Sequence, residues 1–392
     1  MRLNSMKIVH VGVNLIPSRG GIYRTVVSFT EAYENLNYNA RILNFGLSTE
    51  SQVEFRAPST FIKTSSLPFL KQYHFWDGFR TNAAQEAIGV PDLVIIHGLF
   101  YYAAATVASY CRRRAIPYVV VSHGSLDPYV FTYRRIRKAA WTRIYRRKLL
   151  AQSSAVLFST RTEAEKASKW TSDSNVRVIP WPVEYCPDYD KIRARSLLLE
   201  KYDLPSETRL ALYCGRMDPV KRPLETIRAF KATAEEDWLL LVVGPPTDRL
   251  PAHIVEAVCR EPGARATYVG ATYGRSLVDH FQAADLLILL SQKENFSHVA
   301  VEALASGVPV FLSRGVDIWR DLAAVDCSFV PADGRDQEAS TRAALARVLG
   351  MERDEHAAAG RRGRDWVRTE LSPQRFAERV KGLCESVVKN SL

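Results

Sequence analysis

The 392-residue sequence lacks the cysteine spacings that metal and redox chemistry use. No two of its cysteines form a C-x-x-C pair, so neither a zinc site nor a redox pair is indicated. A reduced cytoplasmic chain is the simplest interpretation. The six cysteines are Cys111, Cys186, Cys214, Cys259, Cys327 and Cys384.

Long apolar runs are also missing. The first residues, MRLNSMKIVHVGVN, contain no extended apolar stretch, so we expect no signal peptide. The longest nearly uncharged apolar stretch, Gly98 to Tyr110, is too short to span a bilayer and predicts a buried helix. The glycine pattern G-x-G-x-x-G does not follow the first apolar run, which argues against a nicotinamide dehydrogenase, and no Walker pattern is present.

The sequence has fewer acidic residues than basic residues. The chain has 53 Lys and Arg against 42 Asp and Glu, a net charge of +11 and a pI near 9.4. This balance suits an anionic partner, which leaves open nucleic acid, an acidic membrane face and a phosphorylated ligand. The hydrophobic content of 47% and the charged content of 24% are typical of globular proteins, and the length allows two domains.

Short apolar runs recur along the chain between helix-like segments. Their continuous apolar content predicts strands buried on both faces, and the alternation with helices predicts parallel sheets in doubly wound α/β domains. The apolar runs form two sets of five, which predicts two domains joined between Pro180 and Pro205. A final amphipathic helix is expected after Ser372. The runs begin at Lys7, Asp92, Pro117, Ala155, Val176, Leu210, Trp238, Ala266, Leu286 and Val308.

Two acids flank a predicted helix start in the stretch ENFSHVAVEALASGVPV. Ligands of α/β sheets bind beyond the carboxyl ends of strands, and Glu294 follows such a strand. The helix would begin near Ser297 or His298, where free N–H groups favour a phosphate. The carboxylates of Glu294 and Glu302 suit sugar and ribose hydroxyls. In the alternative interpretation, Glu294 is only solvated and Glu302 is a helix-terminal charge.

A second candidate loop, GRMDPVKRP, also follows a predicted strand. Gly215 allows a tight turn, and Arg216 and Lys221 place two cations around the next helix start. Fixed cations there would stabilise the charge that develops on a departing diphosphate. A basic surface loop without function remains the alternative.

The first half offers a glycine pair and two histidines after its strands. Gly20 and Gly21 open a helix and would let the backbone approach a phosphate or a sugar. His123, and His97 after the preceding strand, are available for hydrogen bonding or proton transfer. Single histidines of this kind are more often structural.

A basic segment at residues 131–150, FTYRRIRKAAWTRIYRRKLL, mixes Arg and Lys with aromatic residues. It predicts docking on anionic lipid head groups, with a solvated basic helix as the alternative. A D-x-D spacing in PDYDK, residues 187–191, follows no strand and is discounted as a metal site.

Together these motifs resemble glycosyltransferase family 4, the retaining nucleotide-sugar transferases, over nearly the whole chain. The resemblance implies an α/β GT-B fold with two Rossmann-like doubly wound domains facing a central cleft. Residues 1–182 would form the acceptor-side domain, residues 183–371 the nucleotide-sugar domain, and residues 372–392 a helix that packs back on the first domain.

The resemblance also implies roles for individual residues. Arg216 and Lys221 would hold the diphosphate, Glu302 the ribose, and Glu294 the hydroxyls of the transferred sugar. No metal or cofactor is required by this arrangement. The implied catalytic residues are His123, Arg216, Lys221 and Glu294, and the implied donor-binding residues are Gly20, Gly21, Gly215, Asn295, Phe296, Ser297 and Glu302.

The implied function is transfer of a hexose from a UDP- or GDP-sugar to a saccharide acceptor. We expect a lipid-linked acceptor, a role in cell-surface polysaccharide biosynthesis, and a cytoplasmic protein on the inner face of the cytoplasmic membrane. A nucleotide-sugar epimerase or a phosphorylase on the same fold is the alternative. A nucleic-acid-binding protein is a further alternative, although no known recognition module is present.

Two positions depart from the family pattern. The sequence has IPWPVE at Ile179 to Glu184, where the family often has I-P-N-G-V, and Ser297 where it often has glycine. We expect the Ser297 side chain to lie beside the donor sugar, so the resemblance leaves the sugar open.

Overall fold

The computed structural model describes residues 5–17, 20–47, 55–66, 74, 83–132, 149–183, 190–333 and 336–390. The chain divides into two compact units, of which the first is Met1–Pro182 with Pro373–Leu392 and the second is Val183–Ser372. Each unit is built around one parallel sheet.

Among the described residues of the first unit, seven parallel strands form one sheet in the order β3-β2-β1-β4-β5-β6-β7. The five strands predicted for this half are confirmed, and β2 and β3 were not predicted. Polar Asn39, Arg41 and Asn44 interrupt the apolar run of β2, and β3 is a largely exposed edge strand. The strands are β1 (Lys7–Val13), β2 (Asn39–Gly46), β3 (Ser59–Lys63), β4 (Leu93–His97), β5 (Tyr118–Val121), β6 (Ala155–Phe158) and β7 (Val176–Val178).

The helices of the first unit follow its strands, as parallel connection requires. The predicted buried helix at Gly98 to Tyr110 is confirmed but begins later, because Gly98 has a φ of 85° and ends the extended chain. The helices described before residue 183 are α1 (Gly21–Leu36), α2 (Ala83–Ile88), α3 (Tyr102–Arg113) and α4 (Arg161–Lys166), with 3-10 turns at Pro128–Thr132 and Asp173–Asn175.

The second unit contains six parallel strands in the order β10-β9-β8-β11-β12-β13. The five predicted strands are confirmed, and the missed β13 has only two residues, too few for an apolar pattern. Its strands are β8 (Arg209–Cys214), β9 (Trp238–Val243), β10 (Arg265–Gly270), β11 (Leu286–Leu289), β12 (Val310–Leu312) and β13 (Ser328–Phe329). Every residue of β8, β9, β11 and β12 is buried, as expected of strands covered on both faces.

Eight helices are described between residues 190 and 372, and they alternate with these strands. One short 3-10 turn, Pro219–Lys221, precedes the second of them. The helices are α5 (Lys191–Lys201), α6 (Pro223–Lys231), α7 (Ala252–Arg260), α8 (Gly274–Ala283), α9 (His298–Ala305), α10 (Trp319–Ala323), α11 (Gln337–Leu349) and α12 (Arg353–Glu370).

The final helix, α13 (Pro373–Lys389), belongs to the first unit. Its predicted apolar face is confirmed, because Phe376, Val380, Leu383 and Val387 are all buried. The Phe376 ring meets Phe29 of α1 edge-on, with 5.2 Å between the ring centroids. Apolar burial therefore holds the end of the chain on the first unit.

Two predicted features fall largely outside the described residues. Residues 133–148 of the basic segment lie there, as do residues 187–189 of the D-x-D stretch. Within the described ranges, no helix combines the length and the hydrophobicity that crossing a membrane requires. The five cysteines in those ranges are free and buried.

Candidate functional site

The loop after β11 is held by backbone hydrogen bonds on both sides of Glu294. The Glu294 N–H donates to the Gly315 carbonyl at 2.8 Å, and the Asp317 N–H donates to the Glu294 carbonyl at 2.8 Å. The Gln292 N–H donates to the Val220 carbonyl at 2.8 Å, which ties this loop to the turn after β8. The sheet order places β8 beside β11, so the two candidate loops of the second unit meet at one sheet edge.

Lys221 and Glu294 form an ion pair across these two loops. The Lys221 ammonium lies 2.7 Å from Oε1 of Glu294, and the side chains are 23% and 16% exposed. The Ser291 hydroxyl donates to Oε2 of the same carboxylate at 3.2 Å. Both carboxylate oxygens are therefore engaged, and the side chain has a fixed orientation.

The turn that carries Lys221 is capped by Asp218, whose carboxylate accepts from the Val220 N–H at 2.9 Å. Gly215 begins this loop, and its N–H donates to the Val243 carbonyl at 2.9 Å. Arg216 is exposed, and its guanidinium forms no hydrogen bond or ion pair with any described residue. The two predicted cations thus lie on one loop, but only Lys221 contacts Glu294.

The helix α9 begins where the sequence predicted, with Ser297 as its N-cap. Ser297 has a φ of 54°, in the left-handed region that favours glycine, which explains the glycine of the family pattern. Its hydroxyl is buried and accepts from the Ala300 N–H at 3.4 Å. The serine hydroxyl therefore serves the helix start, and Phe296 beside it is buried.

Glu302 lies within α9, the helix that follows the loop of Glu294. Burial raises the pKa of the Cys214 thiol, at the end of β8, to about 12, and the charges of Glu302 and then Glu294 add to the rise. These carboxylates have the effect because their negative charge disfavours a negative thiolate.

In the first unit, the glycine pair begins α1. Gly20 is the N-cap with a φ of 65°, and its N–H donates to the Pro17 carbonyl at 3.0 Å. A Cβ built on Gly20 or Gly21 meets no described atom within 4 Å.

His123 stands in the loop after β5, in the left-handed region with a φ of 47°. The next residue fixes this loop, because the Gly124 N–H donates to Oε1 of Glu163 at 2.7 Å. The other Glu163 oxygen accepts from the N–H and the hydroxyl of Ser159, at 2.9 and 2.8 Å. A buried carboxylate thus holds the backbone beside His123.

Glu163 was not identified from the sequence, although a signal exists. Thr160 to Glu163 reads T-R-T-E, the capping-box pattern at a helix start. Thr160 does cap α4, accepting from the Glu163 N–H at 3.1 Å. The Glu163 side chain reaches Gly124 instead of the Thr160 backbone, and that long-range contact has no local signature.

Trp181 occupies the position of the family's asparagine and is buried. Its ring centroid lies 5.9 Å from that of His123, and 6.2 Å from that of Phe29. The departure from the family pattern therefore places an aromatic ring against His123.

The predicted site residues are divided between the two units. Lys221 and Glu294 are brought into direct contact, and Glu302 lies on the helix α9 that follows the Glu294 loop. The first unit contains Gly20, Gly21 and His123; the second contains Gly215, Arg216, Lys221, Glu294, Asn295, Phe296, Ser297 and Glu302.

Sequence comparison finds two protein families in the chain. The family described as glycosyltransferase family 4 matches residues 19–185, and the family described as glycosyl transferases group 1 matches residues 195–364. A D-inositol 3-phosphate glycosyltransferase of Salinispora tropica is 29% identical over 218 residues, covering 52% of this chain and 45% of that protein. One from Xylanimonas cellulosilytica is 30% identical, covering 48% of this chain and 47% of that protein. The chain spans about half the length of the curated relatives it matches.

Solved structures match nearly the whole chain. Sucrose-phosphate synthase from Thermosynechococcus elongatus superimposes with a TM-score of 0.76 at 18% identity, covering 98% of this chain and all of that one. Anabaena HepE, solved in complex with UDP and glucose, gives a TM-score of 0.71 at 16% identity, covering 97% of this chain and 100% of that one. With the two parallel sheets, these likenesses show a two-domain α/β fold of the GT-B type.

Proposed function

This chain belongs to the group 1 glycosyltransferases, of family 4 type, and we propose that it transfers a hexose from a nucleotide sugar to a saccharide acceptor with retention of anomeric configuration. The observation that carries the proposal is the contact of Lys221 with Glu294 at the adjacent ends of β8 and β11. A cation for phosphate and a carboxylate for hydroxyls lie side by side there. A nucleotide sugar carries both groups within one molecule.

In the proposed reaction, the bond between the anomeric carbon and the diphosphate oxygen breaks. The acceptor oxygen bonds to that carbon on the same face, and the acceptor proton goes to an oxygen of the leaving diphosphate. Lys221 and Arg216 would stabilise the negative charge that develops on the diphosphate. Glu294 would orient the sugar through its hydroxyls, and Glu302 would bind the ribose diol.

Uridine is the base that we propose for the donor. Anabaena HepE was solved in complex with UDP-glucose, and it resembles this chain at a TM-score of 0.70. Guanosine is the competing base, and the experiment below compares the two directly.

For the acceptor, we propose a lipid-linked saccharide in cell-surface polysaccharide biosynthesis, at the inner face of the cytoplasmic membrane. The net charge of +11 and the basic, aromatic segment 131–150 support this proposal. Flotation with vesicles rich in acidic lipid should carry the protein upward at low salt and release it at high salt. Absence of flotation at low salt would refute the membrane location.

The test of the donor site is a thermal-shift titration with UDP, GDP and ADP. A ligand that binds only the folded state stabilises it by about 2.7 kcal/mol at a hundredfold excess over its dissociation constant. We expect UDP to raise the unfolding temperature of the wild type and to have a much smaller effect on Glu302→Ala. An equal shift in the variant would contradict the assignment of Glu302 to the ribose.

Turnover assays then identify the reaction. UDP-hexose plus acceptor should yield UDP and a glycoside of the donor's anomeric configuration. Sugar-phosphate release that requires inorganic phosphate would identify a phosphorylase instead. Conversion of the nucleotide sugar without an acceptor would identify an epimerase.

A further inference from the structure

Three histidines form a continuous hydrogen-bonded chain in the first unit. His10 lies on β1, His97 ends β4 and His123 follows β5, and these three strands are adjacent in the sheet. His10 Nδ1 lies 2.8 Å from His97 Nε2, and His97 Nδ1 lies 3.0 Å from His123 Nε2. His10 and His97 are buried, so the chain runs from the interior of the sheet to the loop of His123.

The interior end of the chain is a tyrosine. The hydroxyl of Tyr33, on α1, lies 3.1 Å from His10 Nε2. Tyr33 is fully buried, and the hydrogen bond of its hydroxyl among the described residues is the one to His10.

The chain has only two internally consistent proton arrangements. Burial lowers the pKa of His10 to about 3 and that of His97 well below its usual value, so both rings are neutral at pH 7. A neutral imidazole has one N–H donor and one acceptor nitrogen. Because His10 and His97 are each bonded through both nitrogens, fixing the proton on one of these rings fixes the direction of all three bonds from Tyr33 to His123.

The groups at Tyr33 decide the direction. If His10 donated to Tyr33, the buried phenol would keep an O–H with no described acceptor, which is costly. In the opposite direction, the phenol donates to an imidazole nitrogen. The second arrangement therefore pairs the hydroxyl proton inside this buried cluster.

We propose that Tyr33 donates to His10 and that the chain holds His10, His97 and His123 in the tautomer with the proton on Nδ1. His123 is then a neutral ring whose Nε2 accepts from His97 and whose Nδ1–H is a hydrogen-bond donor. Resting on the proposed function, this makes His123 a hydrogen-bond donor in the transferase reaction and not a base that removes the acceptor's proton. Tyr33, His10 and His97 are positioning residues for His123.

Nitrogen-15 NMR of the histidine-labelled, full-length protein tests the proposal directly. Protonated and unprotonated ring nitrogens have widely separated chemical shifts. The protein has eight histidines, and His→Gln substitutions assign the signals to individual residues. At pH 7.5 we expect His10, His97 and His123 each to carry a proton on Nδ1 and none on Nε2. A proton on Nε2 of any of the three would overturn the proposal.

Substitutions test whether the hydrogen bonds of His10 and His97 transmit the donor direction from Tyr33 to His123. Tyr33→Phe should move the ring shifts of His123, although Tyr33 contacts only His10 among these histidines. When His97 is also replaced by Phe, the Tyr33→Phe substitution should leave the ring shifts of His123 unchanged. Tyr38→Phe is the matched control, because Tyr38 packs 6.0 Å from Tyr33 between ring centroids and has no bond to the histidines. No response of His123 to Tyr33→Phe, or an equal response in both backgrounds, would refute coupling through the chain.

The tautomer measurement needs no substrate. It therefore fails or succeeds independently of the transferase assay, and the two proposals are separable. If the three rings carry their protons on Nδ1 but no nucleotide sugar is turned over, the proton arrangement of the histidines stands. Only the proposed function is then refuted.

Discussion

The Lys221 ammonium lies 2.7 Å from the Glu294 carboxylate, and this contact joins two loops that are 73 residues apart in sequence. Each charge compensates the other in a site that is largely shielded from water. Removal of either side chain leaves its partner partly buried without a counter-charge, which costs more than the contact itself contributes. We therefore expect the pair to act as one unit in the proposed reaction.

Lys221→Ala and Glu294→Ala should each lower turnover by at least about 100-fold, because each removes a group that the proposed transition state uses. The double variant should be only slightly slower than either single variant, since the two groups act together. Steady-state kinetics with a thermal-unfolding check for folding makes the measurement. Arg228→Ala breaks an exposed pair with Glu261 at 3.0 Å in the same unit and should leave turnover unchanged. Near-normal turnover of both single variants would remove this site assignment.

Ser297 combines a strained backbone with a helix cap, and two substitutions separate these effects. Ser297→Ala keeps the φ of 54° and removes the hydroxyl cap, so it should lower the free energy of unfolding by about 1 kcal/mol. Ser297→Gly also removes the cap but relieves the strain, so it should change stability by only a few tenths of a kcal/mol. Denaturant unfolding of both variants compares the effects. A glycine variant less stable than the alanine variant would show that relief of backbone strain contributes little at this position.

Glu163 should position the His123 loop through its buried carboxylate. Glu163→Ala leaves three donors on Gly124 and Ser159 without their acceptor, so it should destabilise the protein by roughly 2–4 kcal/mol. Glu163→Gln keeps one acceptor oxygen and should recover part of that loss. Thermal unfolding measures both, with Ala substitution at exposed Glu165 as the control on the same helix. Equal stability of the alanine variant and the wild type would contradict this role.

The buried histidines make stability depend on pH. The pKa of His10 is about 3 in the folded protein, while an unfolded histidine titrates near 6.5, so the unfolded state binds more protons between these values. Stability is therefore complete above pH 6.5 and falls as the pH decreases towards 3, by up to about 1.4 kcal/mol per pH unit for this group. His97, with a pKa lowered in the same direction, adds to the loss.

His10→Gln removes one of these titrations and keeps a polar side chain. Its unfolding temperature should decline less steeply than that of the wild type between pH 7 and pH 5, whatever its absolute value. The same substitution at exposed His253 is the control and should keep the wild-type slope. Parallel curves for the His10 variant and the wild type would show that folding does not lower the pKa of His10.

The sequence alone determined the class of the fold and the main candidate residues. Continuous apolar runs predict buried parallel strands because only strands covered on both faces can be apolar throughout. The strands that escaped prediction, β2, β3 and β13, are interrupted by polar residues, exposed at an edge, or very short. The start of α9 was predicted correctly, because N-cap chemistry is local.

Only the tertiary structure decided how these residues contact one another. The pairing of Lys221 with Glu294, the reach of Glu163 to Gly124, and the line from Tyr33 to His123 all join residues distant in sequence. Local patterns report the preferences of neighbouring residues, whereas these contacts depend on strand order and on which side chains the packed sheet brings together. The sequence therefore specified which groups are available, and the order of strands in each sheet specified their partners.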